Sequence, residues 1–244
     1  MTAVLPQLTT ADPQLAAYFG LPLDPSPPLD GFYLHAHVCG LTLQRVGHEG
    51  QLRLDFVGGK LGYRRLHGGS EAIVRAVGLK PSQPLSVIDA TAGLGRDAFI
   101  LAAHGARVTL VERHPALAAL LADALQRALM DEATTAIASR MQLHYGAALA
   151  TLTGWLGEPP AVVYLDPMFP HRRKSALVKQ EMQWLQQLVG ADDDADALLL
   201  PARQLACQRV VVKRPEQAPP LAGVKPSGAV ASRGHRFDIY APVS

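Results

Sequence analysis

LSVIDATAGLGRDAFILAAHGARVTLVE, residues 85–112, decides the fold. It opens with a short apolar run, LSVID, that ends in Asp89. A glycine turn, Gly93-Leu94-Gly95, follows, then RDAFILAAHG with apolar residues at helical spacing, then a second apolar run, RVTLVE, ending in Glu112. Runs that are apolar on both faces and separated by a helix describe neighbouring parallel strands, because parallel strands need a crossover and helices cover the sheet.

The same alternation continues downstream. MQLHYG, AVVYLD and RVVVKR are further apolar runs, and HPALAALLADALQRALM and SALVKQEMQWLQQLVG carry helical periodicity between them. The end differs: GAVASRGHRFDIYAPV reads as a strand, a turn at Arg233-Gly234 and another strand. The prediction is an α/β, Rossmann-like fold whose seven-stranded, mostly parallel sheet finishes in an antiparallel hairpin, spanning residues 81–244.

Residues 1–80 have another texture. LPLDPSPPLDG (21–31) is a Pro-rich connector. FYLHAHVCGLTLQRVG and QLRLDFVG alternate as two or three strands of a small sheet. GGKLGYRRLHGGSEAIVRAVGL is a basic, glycine-punctuated loop leading into a short helix with Ile73, Val74 and Val77. This region is expected to be a small α+β appendage; nothing in its first 50 residues assigns it a role.

Composition limits the function classes. The 244-residue chain is 48% hydrophobic and 18% charged, which suits a packed globular core. A formal net charge of +2 permits a polyanionic partner without requiring one. Cys39 and Cys207 are far apart, and no Cys/His spacing suggests a metal site. The start lacks a basic segment followed by an apolar core, and no apolar run approaches the roughly 20 residues of a membrane span. A cytoplasmic protein without metal or membrane attachment is expected.

Glycines between a strand and a helix bring backbone N–H groups close to a ligand. Gly93, Gly95 and Ala98 fit G-x-G-x-x-A, the dinucleotide fingerprint, with Glu112 where a ribose-binding acid belongs. Asp89 separates two readings, since a carboxylate there repels a pyrophosphate. It suits S-adenosylmethionine (SAM), which has no phosphate and carries a sulfonium and an ammonium. D-x-x-x-G-x-G, Asp89 to Gly95, resembles the first motif of class I methyltransferases. Arg113 can pack on the adenine, and the small residues Gly146, Ala147 and Ala148 fall where such folds line the adenine pocket.

The second site is VYLDPMFPHRRK, Val163–Lys174. Asp166, Pro167 and Phe169 resemble the [D/N]-P-P-[F/Y/W] motif of exocyclic-amine methyltransferases, with Met168 at the third position. An aryl amine is a poor nucleophile because its lone pair is delocalised. A carboxylate and the Pro167 carbonyl accepting its N–H bonds orient that lone pair and stabilise the charge developing on nitrogen. Phe169 offers a stacking face for the base. Arg172, Arg173 and Lys174, with Arg64 and Arg65 as further candidates, would contact phosphates. Asp rather than Asn leans toward guanine N2, with adenine N6 the alternative; a nicotinamide oxidoreductase is disfavoured by Asp89.

DATAGLGRDAF, YLDPMFPHRRKSALVK, VVVKRP and GHRFDIY closely resemble the RsmJ family of bacterial 16S ribosomal RNA guanine-N2 methyltransferases, over residues from about 55 to 240. The resemblance implies SAM as cofactor, 16S rRNA or the 30S subunit as partner, and cofactor-site positions at Arg96, Asp97, Glu112, Arg113 and Asp166, with residues near Ala147 and Ala148.

Overall fold

The computed structural model describes residues 8–58, 72–80, 83–168, 180–190 and 194–243. The N-terminal part holds β1 (Leu8–Thr10), helix α1 (Pro13–Phe19), β2 (Phe32–His37), β3 (Gly40–Arg45) and α2 (Ala72–Val77). α1 starts on Asp12, whose carboxylate accepts from the N–H groups of Gln14 and Leu15, and stops at Gly20 in the left-handed conformation.

The three-stranded sheet has the order β1-β2-β3. Its third strand is β1 rather than the expected QLRLDFVG segment, which makes a single bridge, Leu43 with Leu52. Leu52, Leu54 and Phe56 are nevertheless buried at alternate positions. The period-2 pattern there reports an extended chain packed on one side, without the ladder of hydrogen bonds that makes a strand.

The large sheet is built from β4 (Ser86–Asp89), β5 (Arg107–Glu112), β6 (Met141–Tyr145), β7 (Val162–Leu165), β8 (Arg209–Pro215), β9 (Gly228–Ser232) and β10 (His235–Tyr240). Its order is β6-β5-β4-β7-β8-β10-β9. All neighbours are parallel up to β8, and β10 is antiparallel to both β8 and β9. The Rossmann-like sheet with a terminal antiparallel hairpin is therefore present.

From β4 the chain winds outward through β5 to β6, then returns to the other side of β4 for β7 and β8. The reversal opens a crevice beyond the carboxyl ends of β4 and β7, where open α/β sheets bind ligands. Asp89 ends β4, and Asp166 follows β7 directly. Helices α3 (Arg96–Ala103), α4 (Pro115–Met130), α5 (Thr135–Ala138), α6 (Ala148–Thr153), α7 (Gln180–Val189) and α8 (Leu199–Leu205) connect and cover the strands. Among the described residues, no helix is long and apolar enough to cross a membrane.

α4 joins the two parts. Its Leu117, Leu120, Leu121 and Ala124 are buried in the same cluster as Phe32, Leu34, Leu43 and Leu52 of the N-terminal region, and β3 packs directly on α4. Phe56 stacks on Phe99 of α3 with ring centroids 5.0 Å apart. The small sheet and the large sheet thus share one apolar interior.

The two glycines of the diagnostic turn have different jobs. Gly93, at φ 54°, has open space where a Cβ would point, its nearest atom 3.9 Å away. Gly95, at φ 66°, faces inward: a Cβ there would stand 2.7 Å from Leu121 Cδ2 and 3.1 Å from Phe56 Cζ. Gly95 is therefore a packing glycine. Gly95→Ala combines a left-handed alanine with core overpacking and is expected to lower stability by about 2–4 kcal/mol. Gly93→Ala carries only the first effect, about 1–2 kcal/mol. Paired denaturant unfolding curves check the ranking, and equal losses would remove the distinction.

Candidate active site

Two connected hollows occupy the crevice. The larger, about 600 Å³, is lined by Asp89, Gly93, Arg96, Asp97, Tyr164, Asp166, Pro167, Lys213 and His235, among others. The smaller, about 80 Å³, is lined by Gly93, Glu112, Arg113, Ala148, Asp166 and Asp194, among others. Thr91, Gly93, Asp166 and Met168 belong to both walls. Asp166 therefore sits where the two hollows meet.

The parts are fastened by short polar contacts. The Asp166 N–H donates to Thr91 Oγ1 at 2.6 Å, tying the end of β7 to the turn after β4. The Gly93 N–H donates to Glu112 Oε2 at 2.9 Å, and the His114 N–H to Glu112 Oε1 at 2.7 Å. Glu112, only 6% exposed, thus orders the glycine turn while lining the smaller hollow. A carboxylate has about four acceptor sites, so backbone donors and ligand hydroxyls are compatible.

Arg113 pairs with Asp194 at 2.9 Å on the rim of that hollow. Ala148, at the first position of α6, reaches its wall. Ala147 is the cap residue preceding α6. Gly146 donates its N–H to the Glu112 carbonyl at 3.0 Å. Phe169, Arg172, Arg173, Lys174, Arg64 and Arg65 lie outside the described residues.

The larger hollow contains a polar chain that motif reading does not reveal. Buried Tyr164 donates its hydroxyl to Asp97 Oδ2 at 2.7 Å. Lys213 donates to the same Asp97 oxygen at 2.9 Å and to Asp166 Oδ2 at 2.7 Å. Tyr164 and Lys213 sit inside the apolar runs VVYL and RVVVKRP, so the sequence presents them as strand residues. The usable signal was their place near strand ends that face the crevice.

The electrostatics follow from this crowding. Burial raises the carboxyl of Asp89 well above its ordinary range, and the nearby Asp97 charge adds to it. Burial also raises Asp166, although its side chain is 35% exposed toward the crevice, and the Lys213 ammonium opposes that rise. Burial would lower Lys213, but Asp166 and Asp97 overcome it and hold the ammonium protonated above its usual range.

A crevice with acids at Asp89, Asp97, Asp166 and Glu112 favours a cationic ligand over a pyrophosphate. The open face of Gly93 leaves room for that ligand against the backbone. The donor set would suit SAM: Glu112 could accept from ribose hydroxyls, Arg113 and Ala148 could border the base, and the carboxylates of the larger hollow could meet its positive groups. Among the described residues, no group of His, Cys, Asp and Glu is arranged to hold a metal ion.

Comparison with known proteins agrees with this chemistry. A family described as "Putative SAM-dependent methyltransferase" matches residues 14–242. The chain is 58% identical over 201 residues to ribosomal RNA small subunit methyltransferase J of Edwardsiella ictaluri, covering 80% of this chain and 79% of that one. It is 51% identical over 220 residues to the protein of the same name from Dechloromonas aromatica, covering 88% and 90%. The crystal structure of a SAM-dependent methyltransferase from Neisseria gonorrhoeae superposes with a TM-score of 0.78 at 38% identity, covering 97% of this chain and 96% of that one.

Proposed function

The chain belongs to the ribosomal RNA small subunit methyltransferase J family of SAM-dependent methyltransferases, and from that premise we propose that it methylates the exocyclic N2 of a guanine in 16S rRNA. The observation that carries the target chemistry is Asp166, a carboxylate at the start of an Asp-Pro turn where the two hollows of the crevice meet. The 30S subunit or its rRNA in the cytoplasm is the partner.

SAM, when bound, supplies an electrophilic methyl group on a sulfonium sulfur. The chain's residues prepare the nucleophile. Asp166 and the Pro167 carbonyl accept the two N–H bonds of the amine and turn its lone pair toward the methyl carbon. An amine that accepts the methyl group must shed one N–H proton, and the Asp166 carboxylate that accepts this N–H bond would take it and pass it to solvent. A carboxylate beside that nitrogen stabilises the positive charge at the transition state and is worth more in a sheltered site than in water.

Phe169 would then stack on the base, and Arg172, Arg173 and Lys174 would hold the flanking phosphates. A guanine inside a duplex hides its N2, so the target must be unpaired or flipped out. Mass-spectrometric mapping of methylguanosine in 16S rRNA, before and after deletion of the gene, tests the reading. Loss of one N2-methylguanosine, restored by the purified protein with SAM, is expected. An unchanged profile overturns it, and loss of an N6-methyladenosine instead moves the target to the alternative amine.

A further inference from the structure

Lys213 is the cation that this crevice would otherwise lack between Asp97 and Asp166, and its placement is specific. It lies near the carboxyl end of β8, opposite Phe237 of β10, and reaches across to the end of β7. Its ammonium bridges Asp97 Oδ2 at 2.9 Å and Asp166 Oδ2 at 2.7 Å. Asp97 is itself held by the hydroxyl of Tyr164, a side chain fully buried in β7. The chain Tyr164–Asp97–Lys213–Asp166 therefore anchors a carboxylate at the crevice to the rigid middle of the sheet. Among the described residues, the second oxygen of Asp166, Oδ1, takes no hydrogen bond.

Resting on the amine-methyltransferase reading above, we propose that Lys213 is a positioning residue for methyl transfer, clamping one oxygen of Asp166 and presenting the other to the amine. Such a clamp fixes the rotation of the carboxylate, so its remaining lone pairs point one way, and keeps it in the form that accepts two N–H bonds. A protonated carboxyl in the same place offers a donor where an acceptor is needed.

The charged surroundings make the clamp necessary. Asp89 faces Asp166 from β4, Asp97 and Arg96 from the start of α3, Tyr164 from its own strand, Lys213 and Arg214 from β8, and His235 from β10. On the smaller hollow's side stand Glu112, Arg113 and Asp194. Arg214 is spent on the Pro219 carbonyl and Arg113 on Asp194. Lys213 is the cation in hydrogen-bond contact with Asp166. With His235 it lowers the carboxyl's affinity for protons, against burial and the charge of Asp97. Without it the carboxyl takes up a proton at higher pH, so the acid limb of the rate profile must move upward.

Single-turnover methylation of 16S rRNA by the full chain, followed from mildly acid to mildly alkaline pH, tests this. Lys213→Met is expected to be slower at neutral pH by roughly 10–10²-fold, to recover part of that as pH rises, and to show its acid limb displaced upward. Lys213→Arg keeps a cation and a donor and should recover more than Lys213→Gln, with a limb close to the original. Should Lys213→Met fail to fold, the displacement between Lys213→Gln and Lys213→Arg carries the test. A Lys213 variant with an undisplaced limb, whether fast or uniformly slow, overturns the proposal, as does a defect confined to the KM for RNA. If Asp166→Ala is inactive while the limb stays fixed, only the clamp fails. If the unmodified chain does not methylate 16S rRNA, the functional reading itself has failed.

Discussion

Asp166→Ala is expected to lower the single-turnover methylation rate by about 10²–10³, the scale of losing one preorganised electrostatic group, with RNA binding retained. The prediction is large because, among the described residues, Asp166 has no understudy. The neighbouring acids are committed elsewhere: Asp97 to Tyr164 and Lys213, and Asp89 to the Thr91 N–H behind the turn. Removing the Asp166 carboxylate also leaves the Lys213 ammonium, paired only with Asp97 among the described residues, near the place where positive charge develops, so the loss includes a repulsion as well as a missing acceptor.

Asp166→Asn separates charge from shape. Its carboxamide can turn its oxygen to Lys213, which puts an NH₂ against the amine, or its oxygen to the amine, which puts the NH₂ against the ammonium. Either orientation sets donor against donor, yet the second keeps an acceptor for the substrate. Asn should therefore be slow but faster than Ala. Phe169→Ala should also be slow and Phe169→Trp partly tolerated, since stacking needs only an aromatic face. Single-turnover kinetics at saturating SAM give the ranking. An Asp166→Ala variant as fast as the unmodified chain would show that the amine is oriented by something else.

What the sequence discloses depends on whether a residue's role is local. The large sheet is legible because its strands are apolar on both faces and its helices are periodic; Arg233-Gly234 announces the hairpin by turn chemistry alone. Asp89, Glu112 and Asp166 are legible because the first two end strands and the third directly follows one, where a carboxylate has no packing reason to be. Lys213 is not, because its partners are 47 and 116 residues away in the chain. Its importance arises only when β8 is laid beside β7, a fact of sheet order rather than of spacing. Gly95 shows the converse. The motif points to a ligand, yet a Cβ at this glycine would meet Leu121 and Phe56 of the core. The segment holding Leu52, Leu54 and Phe56 shows alternation without a strand, because burial sets side-chain period while strand formation also requires a neighbouring edge.

Glu112→Ala is expected to weaken SAM binding at least tenfold, and its reach extends past the lost ligand contact. The carboxylate holds Gly93 from one oxygen and His114 from the other, so it fixes the glycine turn proposed to floor the cofactor and the entry to α4 together. Each charge-assisted bond is worth about 1.5–3 kcal/mol, and a tenfold change in affinity is about 1.4 kcal/mol. Less than half of the combined loss therefore suffices if it is expressed in binding. The remainder should appear as a lower melting temperature, because two backbone N–H groups in a 6%-exposed setting lose their acceptor. Glu112→Gln should not rescue either quantity, since its amide meets one of those N–H groups donor to donor. Glu112→Asp should be weak as well, its carboxylate one methylene short of a span set by both contacts. Calorimetry with SAM, alongside thermal melts of the same variants, distinguishes the two consequences. Unchanged affinity in Glu112→Ala, or a preference for NAD over SAM in the unmodified chain, would remove Glu112 from the cofactor site. A lowered melting temperature with unchanged affinity would leave it a purely structural brace, which its place on the wall of the smaller hollow argues against.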